Sequence, residues 1–149
     1  LMGTVFGDMP DKYDAGTPNV AGAVGLVAAV DFLESLGMNE VENHGKDLVG
    51  YAIRKLEKGI GVIVIGPKDV KKRLASVAFM IEGVHAHDVA QILDSHGVAV
   101  RSGHHCTMPL HEKFGWVATT RASFGVYNSR EDVDELVAGV EKVKKIFKV

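Results

Sequence analysis

The sequence is poor in cysteine, in long apolar runs and in excess charge of either sign, and each shortage excludes a class of protein. Cys106 is the only cysteine among 149 residues, so no disulfide can form within the chain, which is typical of a reducing compartment. The formal net charge is −2, whereas nucleic-acid-binding domains are normally basic. No apolar run reaches the roughly 18 residues of a membrane span. The opening stretch, LMGTVFGDMP, lacks the basic and apolar segments of a signal peptide. We therefore predict a cytoplasmic protein without nucleic-acid or membrane partners.

The pattern of apolar residues predicts an α+β fold. Hydrophobic residues make up 46% of the chain, enough for a core. Periodicity and turn signals predict eight elements in the order α-α-β-β-α-β-β-α. The predicted helices cover residues 18–36, 39–58, 86–96 and 129–147, and the predicted strands cover residues 62–65, 74–81, 98–101 and 119–126. This order predicts a small sheet of about four strands with helices packed on one face.

Capping residues predict where three of the helices begin. Thr17 before a proline is typical of an N-cap. Asn39 with Glu42, and Ser129 with Asp132, have the spacing of a capping box. The first of these helices is apolar through its first half, so we predict that this half is buried.

The stretch RSGHHCTMP, residues 101–109, raises the question of what Cys106 does. A thiol reacts as its anion, which nearby cations favour. Arg101, His104 and His105 are sequence neighbours, and a glycine gives the loop freedom to present a side chain. These features favour a nucleophile, whereas the alternative is a small, inert, buried cysteine.

A metal site is the other alternative for this stretch. His104, His105, Cys106 and His111 lie within eight residues. Adjacent residues rarely converge on one ion, and no second cysteine completes a zinc motif. Structural zinc therefore stays a third alternative.

Two further positions have the chemistry of anion binding. Gly16 and Thr17 stand just before a predicted helix, where free N–H groups bind anions, although they could equally form an ordinary N-cap. Arg121 lies in the middle of a predicted strand. It is either a surface residue or the fork that binds a carboxylate through two hydrogen bonds.

Three segments of the sequence resemble one enzyme family. The segments DAGTPN, HAHDVAQILDSHGVAVRSGHHCTMPL and RASFGVYNSREDVDELVAGVEKV are similar to the C-terminal part of the SufS/CsdA-type cysteine desulfurases. These are class V, fold-type I enzymes that depend on pyridoxal phosphate. The resemblance runs from about Tyr13 to Phe147, and R-x-G-H-H-C-x-M/Q-P followed by R-A-S-x-x-x-Y-N is its most specific part. Asp14 departs from the glutamate usual in the family. The short loop before Cys106 resembles the SufS group rather than the NifS/IscS group.

The resemblance implies a reaction. In this family the loop cysteine takes the sulfur of L-cysteine and becomes a persulfide, and alanine is released. The persulfide sulfur is used chiefly for iron–sulfur cluster assembly. Cys106 matches that cysteine, and Arg121 matches the arginine that holds the substrate carboxylate. A sulfur-acceptor protein is implied as a partner.

The resemblance also assigns residues around the reaction centre. Gly16 and Thr17 match the pair that approaches the cofactor phosphate across a dimer interface. Arg101, His104 and His105 belong to the active-site loop, without a fixed role.

The family's lysine that bonds to pyridoxal phosphate stands in a G-H-K-x-x-G-P-like loop that this sequence lacks; Lys68 lies in a turn instead. We therefore expect the chain not to bind the cofactor covalently and to be inactive alone, as a truncated or split enzyme with a separate cofactor-binding half. The alternative is a non-catalytic persulfide carrier or complementation module. By the same resemblance, residues 1–38 are an arm and helix of the large-domain interface, and residues 39–149 are the C-terminal small domain, whose small sheet is mostly antiparallel. A free domain would expose the apolar helix, which predicts a homo-oligomer or a mobile arm.

Overall fold

The computed structural model describes residues 3–149. The chain divides into two compact units, Leu1–Met38 and Asn39–Val149. The first unit contains a short 3-10 helix, Asp11–Tyr13, and the long helix α1, Val20–Leu36. Among the described residues, no single helix is both long and apolar enough to cross a membrane. The pair formed by α1 and the next helix passes that test together, by length and composition only.

Helix α1 begins two residues later than its sequence suggests. The Asn19 side chain accepts a hydrogen bond from the Gly22 N–H at 2.9 Å, so Asn19 is the N-cap and the prediction of Thr17 was wrong. Both residue types make good caps, and the one whose oxygen reaches a first-turn N–H fixes the boundary. No residue of α1 is buried, so the prediction of a buried first half was also wrong. Val24 is 66% exposed and Val27 is 61% exposed.

The second unit is built around a four-stranded sheet. Its helices are α2 (Met38–Leu56), α3 (Ala86–Asp94), α4 (Met108–Phe114) and α5 (Arg130–Phe147), and its strands are β1 (Val62–Ile65), β2 (Ser76–Ile81), β3 (Arg101–Gly103) and β4 (Thr119–Ser123). The strand order is β1-β2-β4-β3, and every neighbouring pair is antiparallel. The predicted α+β class is confirmed.

One face of the sheet packs against helices. In β2, Val77, Phe79 and Ile81 are buried and alternate with partly exposed residues, as the two-residue period of a strand requires. These side chains share a single core with apolar residues of α2, α3 and α5. The opposite face of the sheet does not pack against these three helices.

Several predicted boundaries were wrong. Helix α2 begins at Met38, so Asn39 lies inside it and does not cap it; Glu42 pairs instead with Lys46, one turn later. The third strand was expected at residues 98–101 and lies at Arg101–Gly103. Its predicted valines, Val98 and Val100, are partly buried against the core but lie outside the ladder. Asp132, by contrast, accepts the Ser129 N–H at 2.9 Å as predicted.

Helix α2 approaches the segment before β2 closely at one point. A Cβ atom added to Gly45 would lie 2.8 Å from the Cβ of Ala75. That distance is shorter than van der Waals contact allows, so glycine is required where these two backbones meet.

Candidate active site

The face of the sheet opposite α2, α3 and α5 carries two arginines. In β4, Thr120 and Ala122 lie opposite core residues of β2, so Thr119 and Arg121 belong to the other face. The register pairs Arg121 directly with Arg101 of β3. Directly opposite residues of antiparallel strands have their Cβ atoms about 5 Å apart. The two arginine side chains thus start from neighbouring positions on one face.

This arrangement has the electrostatics of an anion site. Like charges placed directly opposite each other destabilise a strand pair, and a bound anion removes that penalty. The Nε of Arg121 is buried and has no hydrogen-bond partner among the residues that the structure describes. A buried donor without a partner costs free energy, which a carboxylate oxygen would recover.

Cys106 lies in the turn that follows β3. The thiol is exposed, so the alternative of an inert buried cysteine was wrong. The Nη2 of Arg101 donates a hydrogen bond to its Sγ at 3.5 Å. The Arg101 side chain therefore connects the sulfur with the face that carries the two arginines.

Two imidazoles join this turn to β4 and the residues before it. The Nε2 of His104 lies 3.0 Å from the carbonyl oxygen of Val117, and the Nε2 of His105 lies 3.0 Å from that of Thr119. Burial of the ring, followed by the nearby charge of Arg121, lowers the pKa of His105 below its usual 6.5, and the Thr119 hydrogen bond only partly opposes this. His105 is therefore a neutral imidazole at neutral pH.

His111 is a member of this site that sequence reasoning considered only as a metal ligand. It is 3% exposed, at the buried side of α4. Its Nδ1 lies 3.1 Å from the carbonyl oxygen of Thr107, and its Nε2 lies 3.2 Å from the Thr119 hydroxyl. Its ring also meets the ring of His104 edge to face, with centroids 5.2 Å apart. The spacing of Thr107 and His111, one helical turn, was the only signal in the sequence.

The geometry gives no support to the zinc alternative. Within residues 3–149, no group of three His, Cys, Asp or Glu side chains is placed to hold a metal ion. His104 and His105 both direct Nε2 at a carbonyl oxygen, so neither offers that nitrogen to a metal.

The two remaining predicted site residues lie in the first unit. Gly16 and Thr17 form a bend ahead of α1. Gly16 has φ of 152°, a value that side chains rarely permit. No atom lies within 4 Å of the point where its Cβ would be. The backbone is therefore open to a group approaching this bend.

These features can be compared with known proteins. The family model described as Aminotransferase class-V matches residues 1–136. The chain belongs to the class V aminotransferase family. It is 48% identical over 147 residues to the probable cysteine desulfurase 2 of Mycobacterium leprae, covering 99% of this chain and 35% of that protein. It is also 48% identical over 147 residues to a probable cysteine desulfurase of Halalkalibacterium halodurans, covering 99% and 36%.

Solved structures agree with the sequence relatives of this class V chain. The apo cysteine desulfurase of Thermococcus onnurineus superposes with a TM-score of 0.83 at 42% identity, over 91% of this chain and 34% of that one. The cysteine desulfurase CsdA of Escherichia coli superposes with a TM-score of 0.81 at 37% identity, over 92% and 33%. The chain thus spans about a third of the length of the relatives it matches. The resemblance to cysteine desulfurases is confirmed.

Proposed function

We propose that this chain is the sulfur-accepting part of a cysteine desulfurase. The observation that carries the proposal is an exposed thiol beside two paired arginines, in a chain whose relatives are cysteine desulfurases. The net reaction is L-cysteine plus the Cys106 thiol giving alanine plus a Cys106 persulfide. The Cβ–S bond of the substrate breaks and an S–S bond forms. The carbon gains two electrons as it becomes a methyl group, and the two sulfur atoms of the persulfide together lose those two electrons.

Cys106 performs the transfer as a nucleophile. Its Sγ attacks the substrate sulfur, and the Cβ–S electron pair remains with the carbon, which takes up a proton. The exposure of the thiol lets the persulfide be handed on afterwards. The Arg101 side chain holds Sγ through the 3.5 Å hydrogen bond from its Nη2.

Arg121 binds the substrate carboxylate. The unpartnered, buried Nε supplies one donor of the guanidinium fork, and a fork suits two carboxylate oxygens at once. Arg101, directly across the strand pair, contributes positive charge on the same face. The substrate is thereby held on the open face of the sheet, with its sulfur directed toward the Cys106 turn.

The family implies pyridoxal phosphate, and the residues of this chain fit one end of that cofactor. The open Gly16 backbone and the Thr17 hydroxyl are donors suited to a phosphate, and we assign them to the phosphate bound by a second subunit of a dimer. When bound, the cofactor draws electrons from the substrate and so allows the Cβ–S bond to break. We assign the covalent attachment of the cofactor to a lysine outside this chain. Lys68 forms an ion pair with Glu57 at 2.9 Å.

We further propose that the complete enzyme belongs to the SufS-like group and acts in the cytoplasm. The short segment that joins β3 to Cys106 supports the group. A sulfur-acceptor protein would receive the persulfide for iron–sulfur cluster assembly. Residues 1–38 would belong to the interface with the large domain, and residues 39–149 would be the C-terminal small domain.

The test combines this chain with a separately produced cofactor-binding half that carries the lysine. We expect no sulfide release from L-cysteine with the chain alone, and alanine formation with a persulfide on Cys106, seen by mass spectrometry, in the mixture. The matched variants are Cys106→Ser, which removes the nucleophile, and Arg121→Lys, which keeps the charge and loses the fork.

The variants separate the assigned roles. Cys106→Ser should abolish persulfide formation, whereas Arg121→Lys should raise KM for L-cysteine about tenfold or more, because a lysine cannot form the paired hydrogen bonds. Full-rate sulfur transfer by Cys106→Ser would overturn the assignment of the nucleophile. Activity of the unmixed chain would overturn the assignment of cofactor attachment.

A further inference from the structure

The turn that presents Cys106 has an unfavourable backbone. The Thr107 N–H and hydroxyl both donate to the His104 carbonyl oxygen, at 2.8 Å and 2.7 Å, which closes a four-residue turn. Its two central residues, His105 and Cys106, have φ of 53° and 62°. Turns with two positive φ values normally use Asn or Gly. Each such residue with a side chain costs about 1–2 kcal/mol, so the surroundings must hold this turn in place.

The two histidines of the turn supply that restraint. A carbonyl oxygen only accepts, so the Nε2 atoms that lie 3.0 Å from Val117 O and Thr119 O both carry the proton. His104 and His105 thus both donate through Nε2 to alternate residues leading into β4. The bonds fix the first two residues of the turn to the neighbouring strand.

His111 secures the other end of the turn. Its Nδ1 faces the Thr107 carbonyl oxygen at 3.1 Å and therefore carries the proton, so its Nε2 accepts from the Thr119 hydroxyl at 3.2 Å. Thr119 consequently forms hydrogen bonds with two imidazoles: its carbonyl oxygen accepts from His105, and its hydroxyl donates to His111. The Cys106 turn is held from both sides by one residue of β4.

We propose that His105 is a positioning residue for Cys106. It acts as a neutral Nε2–H donor that holds the left-handed turn and keeps Sγ beside Arg101, with His104 and His111 supporting it. It does not act as the base that deprotonates the thiol. The consequence for sulfur transfer rests on the proposed function, whereas the conformational role does not.

Two amide substitutions test the donor directly. In His105→Gln, the side-chain amide reaches the position of Nε2 and can still donate to Thr119, but it cannot act as a base. In His105→Asn, the amide stands at the position of Nδ1 and falls short. Asn tolerates the left-handed backbone better than His or Gln does. If backbone preference alone held the turn, Asn would therefore be the better replacement.

The readout is the rate at which Cys106 reacts with Ellman's reagent in the 149-residue chain, whose only thiol is Cys106. We expect His105→Gln to keep the rate within about twofold and His105→Asn to lower it about two- to tenfold, the range of one lost hydrogen bond. Arg101→Gln should lower the reaction rate of the otherwise unsubstituted chain by a similar factor. It should add little to the effect of His105→Asn, because that variant has already lost the contact between Arg101 and Sγ. Equal rates for the Gln and Asn variants, or additive effects of Arg101→Gln and His105→Asn, would overturn the proposal.

A measurement on the unsubstituted chain covers the case in which a variant does not fold. Nitrogen-15 NMR of labelled histidines at neutral pH should show the Nε2–H tautomer for His105 and the Nδ1–H tautomer for His111. A charged or Nδ1–H His105 would contradict the donor role. Neither readout involves L-cysteine or a cofactor, so failure of this inference and failure of the proposed desulfurase function are separately visible.

Discussion

Thr119 and Thr120 are adjacent in β4 and equally buried, but their hydroxyls have different duties. Each side chain is 1% exposed. The Thr119 hydroxyl donates to Nε2 of the buried His111 at 3.2 Å. The Thr120 hydroxyl reaches only the Ala86 carbonyl oxygen, at 3.5 Å, the long limit of a hydrogen bond. Replacing each in turn by valine therefore changes the same atoms in two different surroundings.

The structure sets the size of each effect. Thr119→Val leaves the His111 acceptor buried without a donor, which costs about 1–3 kcal/mol. Thr120→Val removes a weak hydrogen bond and places a methyl group in an apolar site, so we expect a change within about 0.5 kcal/mol of zero. Threonine and valine have similar strand preferences, so the backbone contributes equally to both variants.

The assay is urea unfolding of the two variants and the unsubstituted chain, monitored by circular dichroism. The free energies of unfolding are compared with the dependence on urea concentration, the m value, held equal for the three proteins. Ellman's reagent then reports on Cys106 in the folded variants. Thr119→Val should also slow that reaction, because His111 no longer supports the turn, whereas Thr120→Val should leave it unchanged. Equal destabilisation by the two substitutions would refute the assignment of the His111 hydrogen bonds.

Three further substitutions test the packing, the titration and the substrate contact. Gly45→Ala should lower the free energy of unfolding by about 1–3 kcal/mol because its Cβ would lie 2.8 Å from the Cβ of Ala75. Ala75→Gly in the same chain should recover part of that loss. Additive effects of the two substitutions in the double-mutant cycle would contradict the contact. Because the pKa of His105 is lowered in the folded state, the unfolded chain binds a proton there that the folded chain does not. The free energy of unfolding should thus fall as pH drops below about 6.5. His105→Gln should make this dependence on pH shallower. The same dependence in both proteins between about pH 7.5 and 5 would refute the contribution of His105. In the reconstituted enzyme, Arg121→Lys should raise KM more than it lowers kcat, and an unchanged KM would remove Arg121 from carboxylate binding.

The sequence predicts best those elements whose signal is local and repeated. The apolar run of residues 74–81 predicted a strand, which the structure confirms from Ser76 onward, and the spacing of Ser129 and Asp132 predicted a helix start that the structure confirms. The start of α1 was ambiguous because Thr17 and Asn19 are both capable caps, and only the position of the side-chain oxygen decides between them. The third strand was misplaced because an apolar run reports burial, whereas strand membership depends on a partner many residues away.

The site divides in the same way. Cys106 and its neighbours stand in one contiguous motif, so the sequence could nominate them together. The roles of the histidines depend on Val117 and Thr119, which come within hydrogen-bond distance only after β3 pairs with β4. His111 has one local partner, Thr107, one helical turn earlier, whereas the fold brings its other partner, Thr119, to it.

Alternate residues of β4 face the core and the candidate site. Thr120 and Ala122 lie toward the helices, whereas Thr119 and Arg121 lie on the open face. A shift of the register by one residue would exchange the two sets. The Arg121 charge would then be buried, and the hydroxyl and carbonyl oxygen of Thr119 would no longer meet His111 and His105. The apolar side chains that fix the register against β2 thus also fix the position of the reactive turn. A change that lets β4 slip should therefore cost thiol reactivity and stability together.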